Sequence, residues 1–415
     1  MHRPNPRQPG SGFAVRSKGF PLMTALRTRS LLAGLALVLA GSSSAFAVDG
    51  QAFADRLKAV LGEQNTTLSY SGVATDDDNV TLKGVQLTAK GEAAQPVALG
   101  DLHFETVTGS TPDGWRVGRL QVADVDQTEE ETRVTLSGVQ VEGIQIKGTN
   151  DKSASLSPLY FERAQMSGAT MERAGKTLAS VENGRIENLQ AGNGGYRSNF
   201  GVGRFLFDAT ATAEGNETPP LVALGYPQLT GDLTGSGAWD PQTGALSLDP
   251  LQLEVDNAGA LSFSYTITGY TPSFIQSLAQ LSKQMQASPQ ASDGAGMAVI
   301  GLISQLYLRS AELSFTDRSL TNKLLDYYAK ENNTTRPQLV DQLVGGLPLA
   351  LAYLQNPTFQ AQVTDAVRSF LQNPRSIAIS IAPPSPVPAT QILGAAMGAP
   401  QTLPQILNLS VRSGN

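Results

Sequence analysis

The sequence predicts an α+β protein with one large, curved antiparallel β-sheet, followed by a mainly helical C-terminal part. Three observations predict this fold class. Apolar and polar residues alternate with a period of two over most of residues 68–267, as in half-buried strands. Short turns separate the strands, which favours an antiparallel meander of hairpins. After Thr271-Pro272 the apolar period becomes that of a helix.

The N-terminal segment has the features of a secretory signal peptide. Two arginines precede the apolar run 31–40, and small residues follow as far as Ala45-Phe-Ala47. A basic region, a short apolar core and an A-x-A end are typical of signal peptides. The sequence therefore predicts cleavage after residues 1–47, with Met23 as an alternative translation start. An uncleaved membrane anchor is the other interpretation, although the run is short for a bilayer span.

Charge and cysteine content narrow the function further. Residues 1–47 hold six of the 30 basic residues and no acidic one, which leaves 24 basic and 36 acidic residues and a net charge of −12. An acidic chain is poorly suited to nucleic acid or anionic lipid head groups. The chain has no cysteine, which excludes disulfides, thiol catalysis and acylation at cysteine. No later apolar run is long enough for a transmembrane helix. We expect a periplasmic or secreted protein.

The β-rich domain is predicted over residues 48–270 and begins with a short helix. Asp49 is the expected cap of this helix, and its apolar stripe is Phe53, Leu57, Val60 and Leu61. Strands and turns follow. The predicted strands include residues 68–73, 80–87, 102–107, 117–122, 134–146, 159–166, 178–189, 203–211, 246–255 and 261–267.

One stretch recurs within this domain. Val80-Thr-Leu-Lys-Gly-Val-Gln-Leu87 returns as Val134-Thr-Leu-Ser-Gly-Val-Gln-Val141. Its apolar positions also match those of residues 117–122 at a constant offset, which indicates a weak repeat of a β-hairpin. Because the strands are apolar on one side only, the sheet must curl, pack on a second sheet or hold something apolar.

Residues 271–415 are predicted to be a helical region whose late strands pack on the sheet. Helices are expected from Phe274, Met297, Leu320, Pro337 and Pro357, and Pro348 is expected to bend or end the fourth. The predicted loops and strands are a mobile loop over Ala287–Gly296, strands over 308–315, 376–381 and 406–411, and extended chain over 383–388.

Few residues suggest catalysis. His103, the only histidine after residue 47, alternates with Leu102 and Phe104 and is predicted to be an exposed strand residue. No serine nucleophile motif accompanies it. Gly175-Lys-Thr177 lacks the spacing of a P-loop and is interpreted as a hairpin turn. Gly201-Val-Gly203 lacks the third glycine of a dinucleotide loop and leads into a predicted strand.

Two acidic runs flank the repeated stretches. Asp76–Asp78 and Glu129–Glu131 could supply calcium ligands, but neither has EF-hand spacing, and solvated turns are the preferred interpretation. Trp115 and Trp239 each adjoin a predicted turn, where local packing is expected. We therefore assign no catalytic, cofactor-binding or metal-binding residue and expect no cofactor.

The signal peptide, the long run of strands and hairpins such as Gly244–Val255 resemble uncharacterised Gram-negative envelope proteins, in particular the AsmA-like group, over residues 66–268. AsmA-like proteins form β grooves linked to lipid and outer-membrane homeostasis, so the resemblance implies a similar groove. This chain differs in lacking an evident retained membrane anchor and in its helical C-terminal part. Both differences argue against a bridge between membranes, and no functional residue carries over.

The expected function is that of an exported, non-enzymatic envelope protein with a binding or scaffold role. Its sheet would hold a lipid or another apolar ligand, and a second envelope protein is the other expected kind of partner. The main alternative is a purely structural or protein-interaction module whose sheet is filled by its own helices. A hydrolase that uses carboxylates is a distant alternative.

Overall fold

A computed structural model describes residues 48–89, 96–151, 158–212, 218–287 and 292–414. The predicted signal peptide lies outside these described residues, and so does the first part of the predicted loop, residues 288–291. The chain from Ala47 onward clusters as one compact unit. Strands from both predicted regions, 48–270 and 271–415, contribute to its sheet.

Strands dominate the described chain and confirm the predicted α+β class. They are β1 (Thr66–Ser69), β2 (Gly72–Asp76), β3 (Asn79–Ala89), β4 (Val97–Ser110), β5 (Gly114–Val122), β6 (Val125–Glu129), β7 (Thr132–Ser137), β8 (Gln140–Lys147), β9 (Leu159–Tyr160), β10 (Arg163–Arg173), β11 (Lys176–Gln190), β12 (Tyr196–Asp208), β13 (Gln228–Asp240), β14 (Ala245–Val255), β15 (Gly259–Thr268), β16 (Tyr307–Asp317), β17 (Ser376–Ile381), β18 (Val387–Pro388) and β19 (Leu409–Gly414).

The strands form the predicted antiparallel meander. Strands β3, β4 and β5 pair in sequence, β5 pairs with β8, and β8 pairs with β10. From β10 to β17 each strand pairs with the next, and β19 adds to β17. Within the described residues β19 pairs with β17, and β1 and β2 pair with β3, so the sheet is open.

Helices lie at the start of the chain and in its C-terminal part. They are α1 (Gly50–Glu63), α2 (Pro220–Ala223), α3 (Pro272–Ala287), α4 (Ser292–Ile303), α5 (Leu320–Glu331), α6 (Arg336–Ala350), α7 (Pro357–Gln372), α8 (Ala389–Gly398) and α9 (Leu403–Ile406). As predicted, Asp49 caps α1: its Oδ1 accepts a hydrogen bond from the Ala52 amide at 2.9 Å.

Several predicted boundaries were wrong. Helix α4 begins at Ser292, inside the loop predicted to be mobile, and α8 was not predicted at all. Helix α6 continues for two residues past Pro348 and ends at Ala350, because the proline removes only the one hydrogen bond that its own amide would make to the Val344 carbonyl. The last strand begins at Leu409, since Ile406 still belongs to α9.

The glycine of the repeated stretch forms a β-bulge. Gly84 has a positive φ of 57°, and the register of β3 with β4 shifts between Leu82 and Val85. The bulge inserts one residue, so Val85 lies on the same face as Leu82 although the two are three positions apart. Gly138, in the second copy, has a φ of 64° and separates β7 from β8. The unbroken alternation expected for these stretches was therefore wrong at the glycine.

Gly84 and Gly138 each make the same kind of polar contact. The Gly84 amide donates to Asp101 Oδ1 at 2.8 Å, and the Gly138 amide donates to Asp124 Oδ1 at 3.0 Å. In each copy an aspartate carboxylate from a neighbouring segment accepts the hydrogen bond of the glycine amide, which has no partner on the paired strand. Asn183 takes a φ of 55° within β11, but the register of β11 with β10 and β12 does not shift there.

The outer face of the sheet is polar. Across β4, β5, β8, β10 and β11 an acidic residue faces a basic one in alternation, with N···O distances of 3.1–3.9 Å. The members of this ladder are Glu105, Arg119, Glu142, Arg163 and Glu187. Exposed pairs contribute only about 0–1 kcal/mol each. Their alternation nevertheless opposes a shift of the pairing register by one residue, because such a shift would move charges onto the apolar side.

Replacing Gly84 by alanine is expected to lower the free energy of unfolding by about 1–2 kcal/mol, because an L side chain is strained at positive φ. Gly84→Asn should cost less, since asparagine tolerates this conformation. Gly72→Ala is the matched control, because Gly72 has open space around its Cα and needs no positive φ. Urea unfolding of the three variants measures the difference; equal midpoints for Gly84→Ala and Gly72→Ala would contradict the bulge.

Candidate ligand-binding groove

The inner face of the sheet carries an unbroken row of facing residues. Residues directly opposite each other on paired strands lie on the same face. Followed from strand to strand, the row, here called the apolar row, contains Val80, Phe104, Leu120, Val141, Ala164, Ile186, Phe200, Gly235, Leu251, Phe263, Leu313, Ile379 and Val411. None of these residues is polar.

A second apolar row runs beside the first. It contains Met166, Gly184, Val202, Leu233, Leu253, Leu261, Phe315 and Ile377. By contrast, the row on the opposite face includes Thr81, His103, Gln121, Gln140, Gln165, Arg185, Thr234, Gln252 and Ser262. The one-sided pattern inferred from sequence is thus realised over the length of the sheet.

Helix α1 covers the N-terminal end of the apolar row. The Phe53 ring lies 5.0 Å from Phe104 and 5.7 Å from Trp115, both in edge-to-face geometry. Val80 is 0% exposed, and Phe104 is buried beside it. Arg56 of the same helix donates two hydrogen bonds to the Lys147 carbonyl, at 2.7 and 3.0 Å. This end of the sheet is therefore filled by the protein's own side chains.

Helix α7 covers the C-terminal end of the same face. Phe359 packs in one cluster with Val411 of the apolar row, and Val363 and Ile377 border that cluster. The ring centroids of Phe370 and Phe315 lie 6.3 Å apart in edge-to-face geometry. Because α7 lies between β16 and β17 in the chain, it returns over the strands that flank it.

Among the described residues, none of the helices covers the middle of the face. A cavity of about 500 Å³ lies over β7 to β13. Its apolar lining residues are Leu136, Val139, Ala164, Met166, Ile186, Phe200, Val202 and Leu233. Ile186 is 39% exposed although it occupies the same row as the fully buried Val80. The single charged residue of the lining is Arg185, which alternates with Ile186 along β11 and belongs to the polar face.

A second cavity of about 420 Å³ lies on the same face beside α7. Its sheet residues include Leu261, Leu313, Phe315, Ile377 and Ile379, and Leu351, Leu354 and Phe359 lie opposite. Leu251, Leu253 and Phe263 of the two rows connect it to the first cavity across β14 and β15. We call this surface, from the first cavity to the second, the groove.

Glycines deepen the groove at positions where a side chain would fill it. The Phe200 ring lies over Gly235, and a Cβ at Gly235 would collide with it. Met166 lies over Gly184 in the same way, with its Cε 2.8 Å from the position of a Cβ. Large side chains thus lie flat across glycines of neighbouring strands, which leaves the centre of the groove open.

Aromatic rings line one end of the central strands. Tyr160 and Tyr196 stack with centroids 5.6 Å apart, and Tyr196 stacks on Trp239 at 5.9 Å. The Trp239 indole donates to the Tyr270 carbonyl at 2.7 Å, so Trp239 packs locally, as predicted. Burial, followed by the charge of Glu162, raises the pKa of the Tyr160 hydroxyl.

The residues considered for catalysis do not converge on the groove. His103 is exposed on the polar face, as predicted, with its Nδ1 3.1 Å from the Thr81 hydroxyl. Gly175 lies in the turn between β10 and β11, as predicted, whereas Gly201-Val-Gly203 lies inside β12. Asp76–Asp78 and Glu129–Glu131 are exposed at the turns before β3 and β7.

The described part of the chain offers neither a metal site nor a membrane-spanning helix. Within it, no three His, Asp or Glu side chains lie together as metal ligands. None of the helices in the same residues is both long and apolar enough to cross a membrane. The residues that line the groove were missed individually at the sequence level, because the bulges shift which positions along each strand point inward.

Comparison with known proteins adds one match. Residues 252–414 match a family model described as "Uncharacterized protein". The matched segment begins within β14 and ends in β19, so it contains the second cavity and the helices beside it. It covers less than half of the chain. No curated protein matches the chain significantly.

The covered and uncovered parts of the inner face should respond differently to truncation. Leu82→Ala, in the core under α1, is expected to lower the free energy of unfolding by about 2–5 kcal/mol, since it leaves a cavity. Ile186→Ala, in the uncovered middle, should cost less than about 1 kcal/mol, because solvent already reaches that side chain. Chemical denaturation measures both; a comparable loss in the two variants would show that the middle is packed.

Proposed function

We propose that the protein is an exported envelope protein that holds the acyl chain of a lipid, or a similar apolar ligand, in the groove. The observation that carries this proposal is the continuous apolar face, which its own helices cover at both ends and leave open in the middle. An exposed apolar surface of this extent is costly in water, which favours an occupant.

The dimensions of the groove suit an acyl chain. From β10 to β17 the sheet contains seven inter-strand spacings, or about 34 Å at about 4.8 Å each. The hydrocarbon core of a bilayer is about 30 Å thick and contains two acyl chains end to end, so one extended chain is about 15 Å long. One chain therefore needs about half of the length of the groove. The two cavities, of about 500 and 420 Å³, also fall within the usual range of ligand sites, about 300–1,000 Å³.

The lining of the groove favours binding over catalysis. Apart from Gln165 and Arg185, which belong to the polar face, its side chains are aliphatic, aromatic or thioether groups, and the acidic runs considered for hydrolysis lie at exposed turns. A general acid or base has to reach the reacting atoms within hydrogen-bonding distance. The proposal therefore gives the protein a carrier or scaffold role and no reaction.

The alternative of a purely structural module also has support. Helices α1 and α7 fill both ends of the face, as they would in a protein whose sheet is covered only by its own chain. The uncovered middle separates the two interpretations, because a structural module has no use for about 500 Å³ of open apolar space there.

A charge placed in the groove should weaken ligand binding. Ile186→Glu is expected to reduce the affinity for cis-parinaric acid, a fluorescent fatty acid, by at least about tenfold, because the carboxylate must be desolvated against the chain. Asn199→Glu is the matched control: it adds the same charge one strand away, next to Phe200, but on the polar face. Fluorescence titration measures both affinities.

The wild-type result decides between the two interpretations. Saturable binding of the probe, together with a co-purifying lipid in native mass spectrometry, supports the ligand interpretation. If the wild-type protein binds no probe and purifies without lipid, the ligand interpretation is wrong and the structural one stands. Equal affinities for Ile186→Glu and Asn199→Glu would place the probe outside the groove.

Export is proposed from the N-terminal sequence. The basic residues, the apolar run 31–40 and Ala45-Phe-Ala47 predict a signal peptide. N-terminal sequencing of the exported protein is expected to give Val48 as the first residue. Retention of residues 24–47 in the membrane fraction would instead indicate an uncleaved anchor.

A further inference from the structure

We propose that a helical surface beside the groove docks on a lipid bilayer, without charge attraction, and so brings the groove to the membrane from which its ligand comes. The surface, here called the docking patch, consists of Met297, Ile300, Leu349, Tyr353, Leu393 and Met397. The role of the membrane as the ligand source rests on the proposed function; the docking itself does not.

The docking patch is unusually exposed for its composition. Leu349 and Met397 are 83% and 84% exposed, and Met297 is 73% exposed. These values exceed those of the apolar residues that line the groove, of which Ile186 is 39% exposed. Single exposed apolar residues are common, but a group of this size marks a surface that binds something.

The residues of the docking patch belong to elements in contact. Helix α4, which carries Met297 and Ile300, contacts α8, which carries Leu393 and Met397. The Tyr353 hydroxyl donates a hydrogen bond to the carbonyl of Ala396 in α8. Leu349 lies in the last turn of α6, directly before the short 3-10 turn Ala352–Leu354 that holds Tyr353. The patch is therefore one surface built from three segments of the chain.

Charge is excluded from the segments that form the patch. The sequence has no Asp, Glu, Lys or Arg between Asp293 and Arg309, between Asp341 and Asp365, or between Arg375 and Arg412. Over the whole chain 16% of the residues are charged, and ion pairs cross the outer face of the sheet. Three separate uncharged segments that meet in space indicate a partner that does not tolerate charge.

A bilayer is the partner that this property fits. The boundary of its hydrocarbon excludes charged side chains, whereas protein interfaces usually have a polar and charged rim. Leucine and methionine enter the acyl region, and a tyrosine ring suits the level of the head groups. Helices α4 and α8, of 12 and 10 residues, would lie in the interface.

The docking patch adjoins the groove. Leu351 and Leu354, on either side of Tyr353, line the cavity beside α7. The same short segment therefore has side chains in the groove and a tyrosine in the docking patch. A membrane bound at the docking patch would meet the C-terminal end of the groove. An acyl chain could pass between the bilayer and the groove at this end.

Vesicle flotation tests this proposal. The full protein is expected to float with vesicles of pure phosphatidylcholine, equally well when part of the lipid is phosphatidylglycerol and when salt is raised, because no cation of the patch takes part. The double variant Leu349→Glu/Met397→Glu should partition about tenfold more weakly. The control is Val97→Glu/Leu189→Glu, which adds two charges at exposed apolar positions on β4 and β11.

The outcomes separate docking from ligand binding. The docking variant is expected to keep its urea midpoint and its affinity for cis-parinaric acid, because it leaves the groove unchanged. Flotation of this variant at the wild-type level, or flotation that requires the anionic lipid, would overturn the proposal. Probe binding by a wild-type protein that does not float would overturn docking alone, whereas flotation without probe binding would overturn the proposed function and leave the docking patch standing.

Discussion

The structure depends on one constraint: every strand from β3 to β19 that joins the apolar row must present its apolar residues to the same side. Where α1 or α7 lies on this side, burial stabilises the fold directly, at about 25 cal/mol per Å² of apolar surface. Between the two helices the same alternation continues without that gain. The sheet therefore keeps a pattern over its middle strands that packing within the chain does not require, and this difference is the strongest physical argument for a ligand.

The bulges make this constraint compatible with long strands. A strand of ten or more residues twists, so a regular alternation would drift away from a common face. At Gly84 one extra residue in β3 corrects the alternation. Gly138 and Asn183 take the same left-handed conformation without a register shift against β10. An aspartate satisfies the released amide in the first two cases. The two copies of the repeated stretch thus share a glycine with positive φ whose amide donates to an aspartate.

Much of the architecture could be predicted from the sequence, because alternation, turn residues and helix caps are local signals. Asp49 and Pro357 were interpreted correctly for this reason. The groove could be predicted only as a need to cover one face. Ile186 and Val80 have the same chemical character and occupy the same row, yet one is exposed and the other buried. That difference comes from where α1 packs, which no local pattern encodes. Helix α8 was missed because its small apolar residues have no clear periodicity.

The meander also bears on how the chain acquires its structure. Almost every strand pairs with one that is close in sequence, and α7 packs on strands that flank it directly. Loop closure is therefore short at most steps up to β15, whereas helical segments separate β15 from β16 and β16 from β17. Contacts of low sequence separation favour fast folding. Strands can be added one after another in the order in which they emerge, starting from the α1 end. A chain without cysteines then needs no oxidation step before its last strand is in place.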